Sequence, residues 1–313
     1  MHFTFDRLLV LFCVLLALGA VLWLLLAVLM GWGILRPPRM SAGKAIYHLQ
    51  RLSPGDLGMG FEEQLFTVRD ARTGQKLTIS GWWIPANAAS DKCVVLLHGY
   101  ADAKVGAIAW APVFHDLNCN ILAIDLRAHG ESGGQFCTGG YFERDDVSQV
   151  IDQLLNLYPD QARQLILFGP SLGAAIACAV AIHRDDISSV ILESPYADYE
   201  RAIAAQIRLM GLPGGSLLRA ALAIAQKISG TKFSEVRPVD LLRNINCPVL
   251  TIIGADDELL DADEIQAIKR AAKSNPSSVF WLVENTGHLA VMASDPVEYE
   301  QKIRDFLSTQ SRF

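Results

Sequence analysis

The sequence contains no C-x-x-C pair and no cluster that sets cysteine beside histidine. Its six cysteines (Cys13, Cys93, Cys119, Cys137, Cys178 and Cys247) are scattered over 313 residues. That spacing argues against zinc-finger or thioredoxin-like chemistry and reads as small buried thiols. Basic blocks are missing beyond the flank of the N-terminus, and the formal net charge is −6. Nucleic acid is therefore not expected as a partner. No internal repeat or low-complexity tract occurs outside the leader.

Charge of either sign is absent from Leu8 to Leu35, where most residues are Leu, Val or Ala. The run exceeds the ~20 residues a spanning helix requires. It is apolar on every face, unlike a core helix, and too long for a signal-peptide core; no A-x-A cleavage site ends it. Residues 1–36 are expected to form one uncleaved transmembrane anchor, with Trp32 and Arg36-Pro-Pro-Arg39 at an interface-like end. Arg7 precedes the run, whereas Arg36, Arg39, Lys44 and Arg51 follow it. That imbalance expects the following domain on the cytoplasmic side.

Residues 37–64 are punctuated by proline and glycine and read as a linker. From residue 65 to 313 the pattern is that of one α/β domain. Thr67–Arg69 and Leu77–Ile84 read as strands joined by a turn. Val94–Leu97, Ile121–Asp125, Leu165–Phe168, Ser189–Glu193, Pro248–Ile253 and Val279–Val283 then alternate with helical patterns, among them Lys104–Leu117 and Glu143–Leu157. Such alternation predicts a mainly parallel sheet with helices on both faces. Active groups in such sheets gather at the carboxyl ends of strands. Between residues 198 and 242 the alternation stops, and two amphipathic stretches flank Gly211-Leu-Pro-Gly-Gly215. This insertion is expected to form a helical cap over a substrate pocket.

The chemistry centres on Gly169-Pro-Ser171-Leu-Gly173, which lies between an apolar strand and a small-residue helix. That context suits a nucleophile elbow, where a strained turn exposes the serine hydroxyl and glycines allow strand and helix to meet. Ser171 needs a base, and the base needs an acid to orient it. His288 follows the last strand; Asp256 and Asp257 both follow the strand before it. Val95-Leu-Leu-His98-Gly99-Tyr100 ends another strand, so the backbone N–H groups of Tyr100 and Leu172 are available as oxyanion donors. His98 and His129 read as loop-bonding residues, and Asp125 and Arg127 as pins for the loop after their strand. Glu143 and Asp146 sit in a first helical turn, where carboxylates complement the helix dipole.

Taken together, His98-Gly99, Asp125-Leu-Arg127-Ala-His129-Gly130-Glu-Ser132, the Gly-Pro-Ser-Leu-Gly elbow, Gly254-Ala-Asp-Asp257 and Gly287-His288 resemble the α/β-hydrolase superfamily. Within it they are most similar to the Bem46-like branch of serine aminopeptidase and lysophospholipase character, often membrane-anchored. The resemblance covers about residues 60–310. It implies an α/β-hydrolase fold with Ser171 as nucleophile, Asp257 as acid, His288 as base, and Tyr100 and Leu172 as oxyanion donors. Ala128 stands where that branch usually has glycine, and Pro170 where it more often has His or Tyr. The expected activity is hydrolysis of an acyl ester or thioester, on a small-molecule or lipid substrate, with no metal and no organic cofactor. A peptidase or amidase with the same residues is the first alternative, and a non-catalytic binding module on this fold the second. The sequence does not define an oligomeric state. If anchor and domain are separate modules, a chain beginning near Ala42 should be soluble and active.

Overall fold

The computed structural model describes the backbone from His2 to Gln310; Met1 and residues 311–313 lie outside it. The apolar leader forms one helix, α1 (His2–Leu35). Within it, Arg7–Leu35 is long and apolar enough to cross a membrane. Arg7 through Leu26 are exposed, and from Ala27 onward the helix turns one face into the protein: Ala27, Gly31, Ile34 and Leu35 are buried. After a proline break, Ser41 accepts the Lys44 N–H and starts α2 (Ala42–Leu49).

Eight strands follow in the order β1-β2-β4-β3-β5-β6-β7-β8 across one sheet. β1 (Glu62–Arg69) and β2 (Lys76–Ile84) pair antiparallel, and β2 pairs antiparallel with β4 (Asn120–Ile124). The sheet thus begins three residues before the expected domain start. β3 (Lys92–Leu96), β4, β5 (Gln164–Pro170), β6 (Ile187–Glu193), β7 (Val249–Gly254) and β8 (Val279–Val283) are all parallel. β1 alternates between exposed and buried toward its end, as an edge strand must. β4 and β7 are buried throughout, because helices cover both faces of a parallel sheet.

The expected helix over 104–117 is two pieces, α3 (Lys104–Ala107) and α4 (Ala111–Asp116), with Pro112 in the first turn of the second. Proline lacks the N–H that a continuous helix would require there. α5 (Glu143–Leu157) and α6 (Leu172–Ala181) pack on one face, with Val95, Leu122, Leu167 and Val190 pointing toward them. Val94, Ile121, Ile166 and Ile191 point to the other face. The period-two alternation of the strands therefore feeds two cores.

The insertion contains α7 (Tyr199–Leu209), α8 (Gly215–Ser229) and the short α9 (Pro238–Leu241). Asp198 caps α7 by accepting the Glu200 and Arg201 N–H groups, and its other oxygen takes the Arg237 Nε at 2.8 Å. That pair ties the entry of the insertion to its exit. α10 (Ala262–Ala272), α11 (Val291–Ser294) and α12 (Pro296–Gln310) complete the chain.

The end of α1 packs against the domain. A methyl on Gly31 would lie 2.8 Å from the Ala221 carbonyl oxygen, so glycine is what lets α1 and α8 touch backbone to backbone. Leu35 is fully buried and its carbonyl accepts the Cys137 N–H at 2.8 Å. Arg39 donates to the carbonyls of His129, Gly130, Ser132 and Gly134, closing the loop after β4. Residues 27–39 are thus part of the domain's packing.

Candidate active site

Ser171 sits where β5 hands over to α6, with φ 50° and ψ −111°. A non-glycine residue held in such a conformation stores about 1–3 kcal/mol. The glycines on either side make the turn possible. A methyl on Gly169 would lie 2.2 Å from the Gly173 carbonyl carbon, and one on Gly173 would lie 2.9 Å from the His98 carbonyl oxygen. Ser171 also stands at the N-terminus of α6, whose dipole favours negative charge nearby.

His288 Nδ1 and Asp257 Oδ2 are 2.8 Å apart. Asp257 is buried, and its other oxygen accepts the Leu259 N–H at 3.0 Å, which fixes the carboxylate in its turn. Gly254 allows the two loops to cross, since a methyl there would lie 2.2 Å from the Thr286 oxygen. Asp256 points outward, exposed, while its N–H donates to the Thr286 carbonyl. Between the two adjacent carboxylates, only Asp257 reaches the imidazole.

The structure brings these loops together on the end of β6. Ser171 donates its N–H to the Glu193 carbonyl at 2.9 Å, and Leu289, next to His288, donates to Ser194 Oγ at 3.3 Å. Among the described residues Ser171 Oγ has no hydrogen bond to His288. Such contacts are often loose without substrate. The His98-Gly99-Tyr100 turn passes alongside, and a methyl on Gly99 would lie 3.9 Å from Ser171 Cβ. Neither the Tyr100 N–H nor the Leu172 N–H has a partner among the described residues. Both are therefore free to donate to an oxyanion. The Tyr100 hydroxyl donates to the Gly33 and Ile34 carbonyls, so the same residue connects this turn to the end of α1.

His98 and His129 are held as neutral rings. His98 Nδ1–H donates to the Gly99 carbonyl at 2.7 Å and its Nε2 accepts the Leu126 N–H at 2.9 Å. His129 does the same with the Arg127 carbonyl and the Ala101 N–H. Burial pulls both pKa values down, His98 well below the usual histidine range. Both rings act as loop clamps, in keeping with their sequence reading. Asp125 takes the backbone and side-chain nitrogens of Lys104 and the Glu131 N–H. Arg127 forms a bidentate pair with Asp146 at 2.6 and 2.7 Å. Asp146 therefore has a partner beyond the helix dipole, and Glu143 accepts from the Thr138 and Gly140 backbone to close the preceding loop. Ala128 adopts φ 61°, a conformation glycine enters more easily.

Glu193 was not singled out by sequence. It lies fully buried beneath the Ser171 turn, with Oε2 accepting from Trp110 Nε1 at 2.7 Å and the Tyr299 hydroxyl at 2.6 Å. Burial pushes its pKa up to about 7, against the opposing pull of those two donors. The one signal in the sequence is a carboxylate ending the apolar run Val190–Leu192. It required the fold to bring Trp110 and Tyr299 to it. Among the described residues no group of histidine, cysteine and carboxylates is arranged to hold a metal ion.

The strand order, with antiparallel β1 and β2 leading into a parallel sheet and an elbow after β5, defines an α/β-hydrolase. The serine aminopeptidase S33 family profile matches residues 88–238. The Bacillus subtilis protein YqkD is 26% identical over 260 residues, spanning 82% of this chain and 84% of its own. Bem46 of Schizosaccharomyces pombe is 26% identical over 195 residues, spanning 61% of this chain and 60% of its own. A solved esterase of Pyrococcus furiosus superimposes with a TM-score of 0.70 at 26% identity, covering 88% of this chain and 98% of that one. The chain has the α/β-hydrolase fold and is similar to the serine aminopeptidase family and to Bem46-like proteins.

Proposed function

We propose that the protein is a membrane-anchored serine hydrolase that cleaves an acyl ester or thioester. The observation that carries this is the strained Ser171 elbow, sharing the end of β6 with the loop that holds the His288–Asp257 pair. In this reading His288 Nε2 takes the Ser171 proton as Oγ attacks the substrate carbonyl carbon. The oxyanion is held by the Tyr100 and Leu172 N–H groups, each worth about 10²–10³ in rate. The leaving group departs with the proton from His288, and water then cleaves the acyl-enzyme by the same route. Asp257 holds the imidazole with Nδ1–H turned away from the serine, leaving Nε2 free as the base.

Support for the anchor comes from α1 itself. Its exposed part is one bilayer long, and its end is packed into the domain, where removal of the leader would strip the buried Ala27, Ile34 and Leu35 from the packing. We place the domain on the cytoplasmic side from the Lys and Arg excess that follows α1. Arg36 stacks over Trp32 at 4.3 Å and Arg39 is bound in the β4 loop, so both also have structural roles. The solved neighbour from Pyrococcus furiosus is an esterase, which agrees with the ester reading.

The serine aminopeptidase profile favours one second reading, cleavage of an N-terminal aminoacyl amide. A series of nitrophenyl esters from acetate to medium chains, run beside an aminoacyl amide, separates the two. The ester reading predicts kcat/KM rising with chain length, since each buried CH₂ contributes about 0.8 kcal/mol. A flat series with strong aminoacyl-amide turnover would replace the ester reading with the peptidase one.

A further inference from the structure

The tip of the insertion presents apolar side chains to solvent for which the domain provides no cover. Leu209, Met210 and Leu212, at the turn between α7 and α8, are 53%, 63% and 50% exposed. The turn continues through Pro213, Gly214 and Gly215, a flexible run that lets those side chains adapt to a surface. From Arg201 to Ser234 the chain has five cations (Arg201, Arg208, Arg219, Lys227 and Lys232) and no aspartate or glutamate. Arg208 and Arg219 flank the apolar tip and are exposed.

The position of this tip relative to α1 decides what it meets. α1 and α8 touch at Gly31, and both enter the domain by their C-terminal ends, where Leu35 and Ser229 are buried, while their N-terminal ends are exposed, so the two helices run in the same direction. Gly31 lies against Ala221 and Ala225, and Arg36, just after α1 ends, sits over the Phe136 ring. Arg72 sits over the same ring and donates to the Ile228 carbonyl at 2.8 Å, near the end of α8. Followed backward in the same register, the start of α8 lies about 12 Å toward the N-terminus from the Gly31 contact, level with Trp23. Trp23 belongs to the exposed apolar part of α1, which ends at Leu26. A bilayer core of about 30 Å takes up ~20 helical residues, a length matched by Arg7 to Leu26.

We propose that the α7–α8 turn is a second membrane-immersed element. Leu209, Met210 and Leu212 enter the leaflet from which α1 emerges, and Arg208 and Arg219 lie among its headgroups. The inference rests on the reading of α1 as a membrane span. The register carries the start of α8 about 6 Å past Ala27, within the 5–10 Å depth of interfacial helices. Arg208 and Arg219, exposed beside the apolar tip, favour anionic headgroups, each contributing about 1 kcal/mol near such a surface. Because the Tyr100 hydroxyl is bonded to Gly33 and Ile34, the turn beside Ser171 is tied to α1 about 10 Å beyond the same surface. An acyl chain could then pass from lipid to the serine without crossing bulk water.

Full-length protein carrying Cys13→Ser and Cys247→Ala is given single cysteines at Leu212, at Leu25 in α1 and at Lys273 on the far side. Each is labelled with a nitrobenzoxadiazole dye and reconstituted into phosphatidylcholine vesicles with and without phosphatidylglycerol. A nitroxide on the lipid acyl chain is the quencher. The proposal predicts that the labels at positions 25 and 212 both lose at least about twofold in fluorescence, with phosphatidylglycerol deepening the loss at 212, while 273 is unaffected. Quenching at 25 with none at 212 would overturn the proposal and leave the anchor standing. No quenching at 25 would overturn the anchor, and with it this proposal.

Discussion

At the scale of single residues, neighbours in sequence do different work because a turn points them apart. Asp256 and Asp257 are chemically identical, yet one faces solvent and the other meets His288 Nδ1 at 2.8 Å. In the proposed triad, Asp257→Asn keeps the volume and removes the charge that would orient and stabilise the imidazolium. It should lower kcat by about 10³–10⁴ with little change in Tm, whereas Asp256→Asn should lower kcat less than about tenfold. Steady-state kinetics on both variants check this, and a large loss at Asp256 would reverse the assignment. Glu193 gives a stability prediction. Burial raises its pKa to about 7, so the folded state binds this proton more tightly than the unfolded chain. The associated stability is full below the unfolded value and is lost as pH rises through about 7. Between about pH 5 and pH 8 the Tm of the wild type should therefore fall more steeply than that of Glu193→Gln, measured by calorimetry. Equal slopes would show that Glu193 is ionised throughout.

At the scale of elements, the end of α1 makes contacts with the domain that hydropathy does not reveal. Hydropathy identifies the helix from composition alone, but it is blind to which apolar residues face lipid and which face protein. Gly31 carried no signal in the sequence, and its role is visible only once α8 lies against it. Arg39 read as a membrane-flanking charge, while its guanidinium is bound by four loop carbonyls. A chain starting at Ala27 keeps these contacts and should melt near the full-length protein. One starting at Ala42 loses Leu35, Ile34 and Arg39. Each buried aliphatic side chain is worth about 1.5–3 kcal/mol. For a domain of this size each kcal/mol shifts Tm by about 2–4 °C, so the shorter chain should melt about 10 °C lower or more. Matching melting curves for the two would restore the separate-module picture. The β strands were more legible, because parallel strands buried on both faces read as short apolar runs. β1 was read only from Thr67, since Glu62, Glu63 and Gln64 at its exposed edge mask the strand pattern.

At the scale of the whole molecule, the sheet explains why the candidate site residues expected from sequence lie at one end of the domain. Each sequence-expected side chain of the site follows a strand of one parallel array, so chain order and strand ends together restrict where they can lie. Long-range support for the site was not legible. Trp110 and Tyr299 meet at Glu193 from opposite ends of the domain, and no local pattern records that meeting. The insertion was legible as amphipathic helices, but its neighbour was not, because nothing local says that α8 lies along α1. The central claim is that Ser171 is the nucleophile, and covalent labelling tests it most directly. Full-length protein in detergent is treated with a fluorophosphonate and digested, and the modified peptide is sequenced by mass spectrometry. The account predicts one adduct on Ser171, no labelling of Ser171→Ala, and a fall in kcat of about 10⁴–10⁶ in that variant with its fold retained. Full labelling of Ser171→Ala, or an adduct on another residue of the wild type, would contradict it.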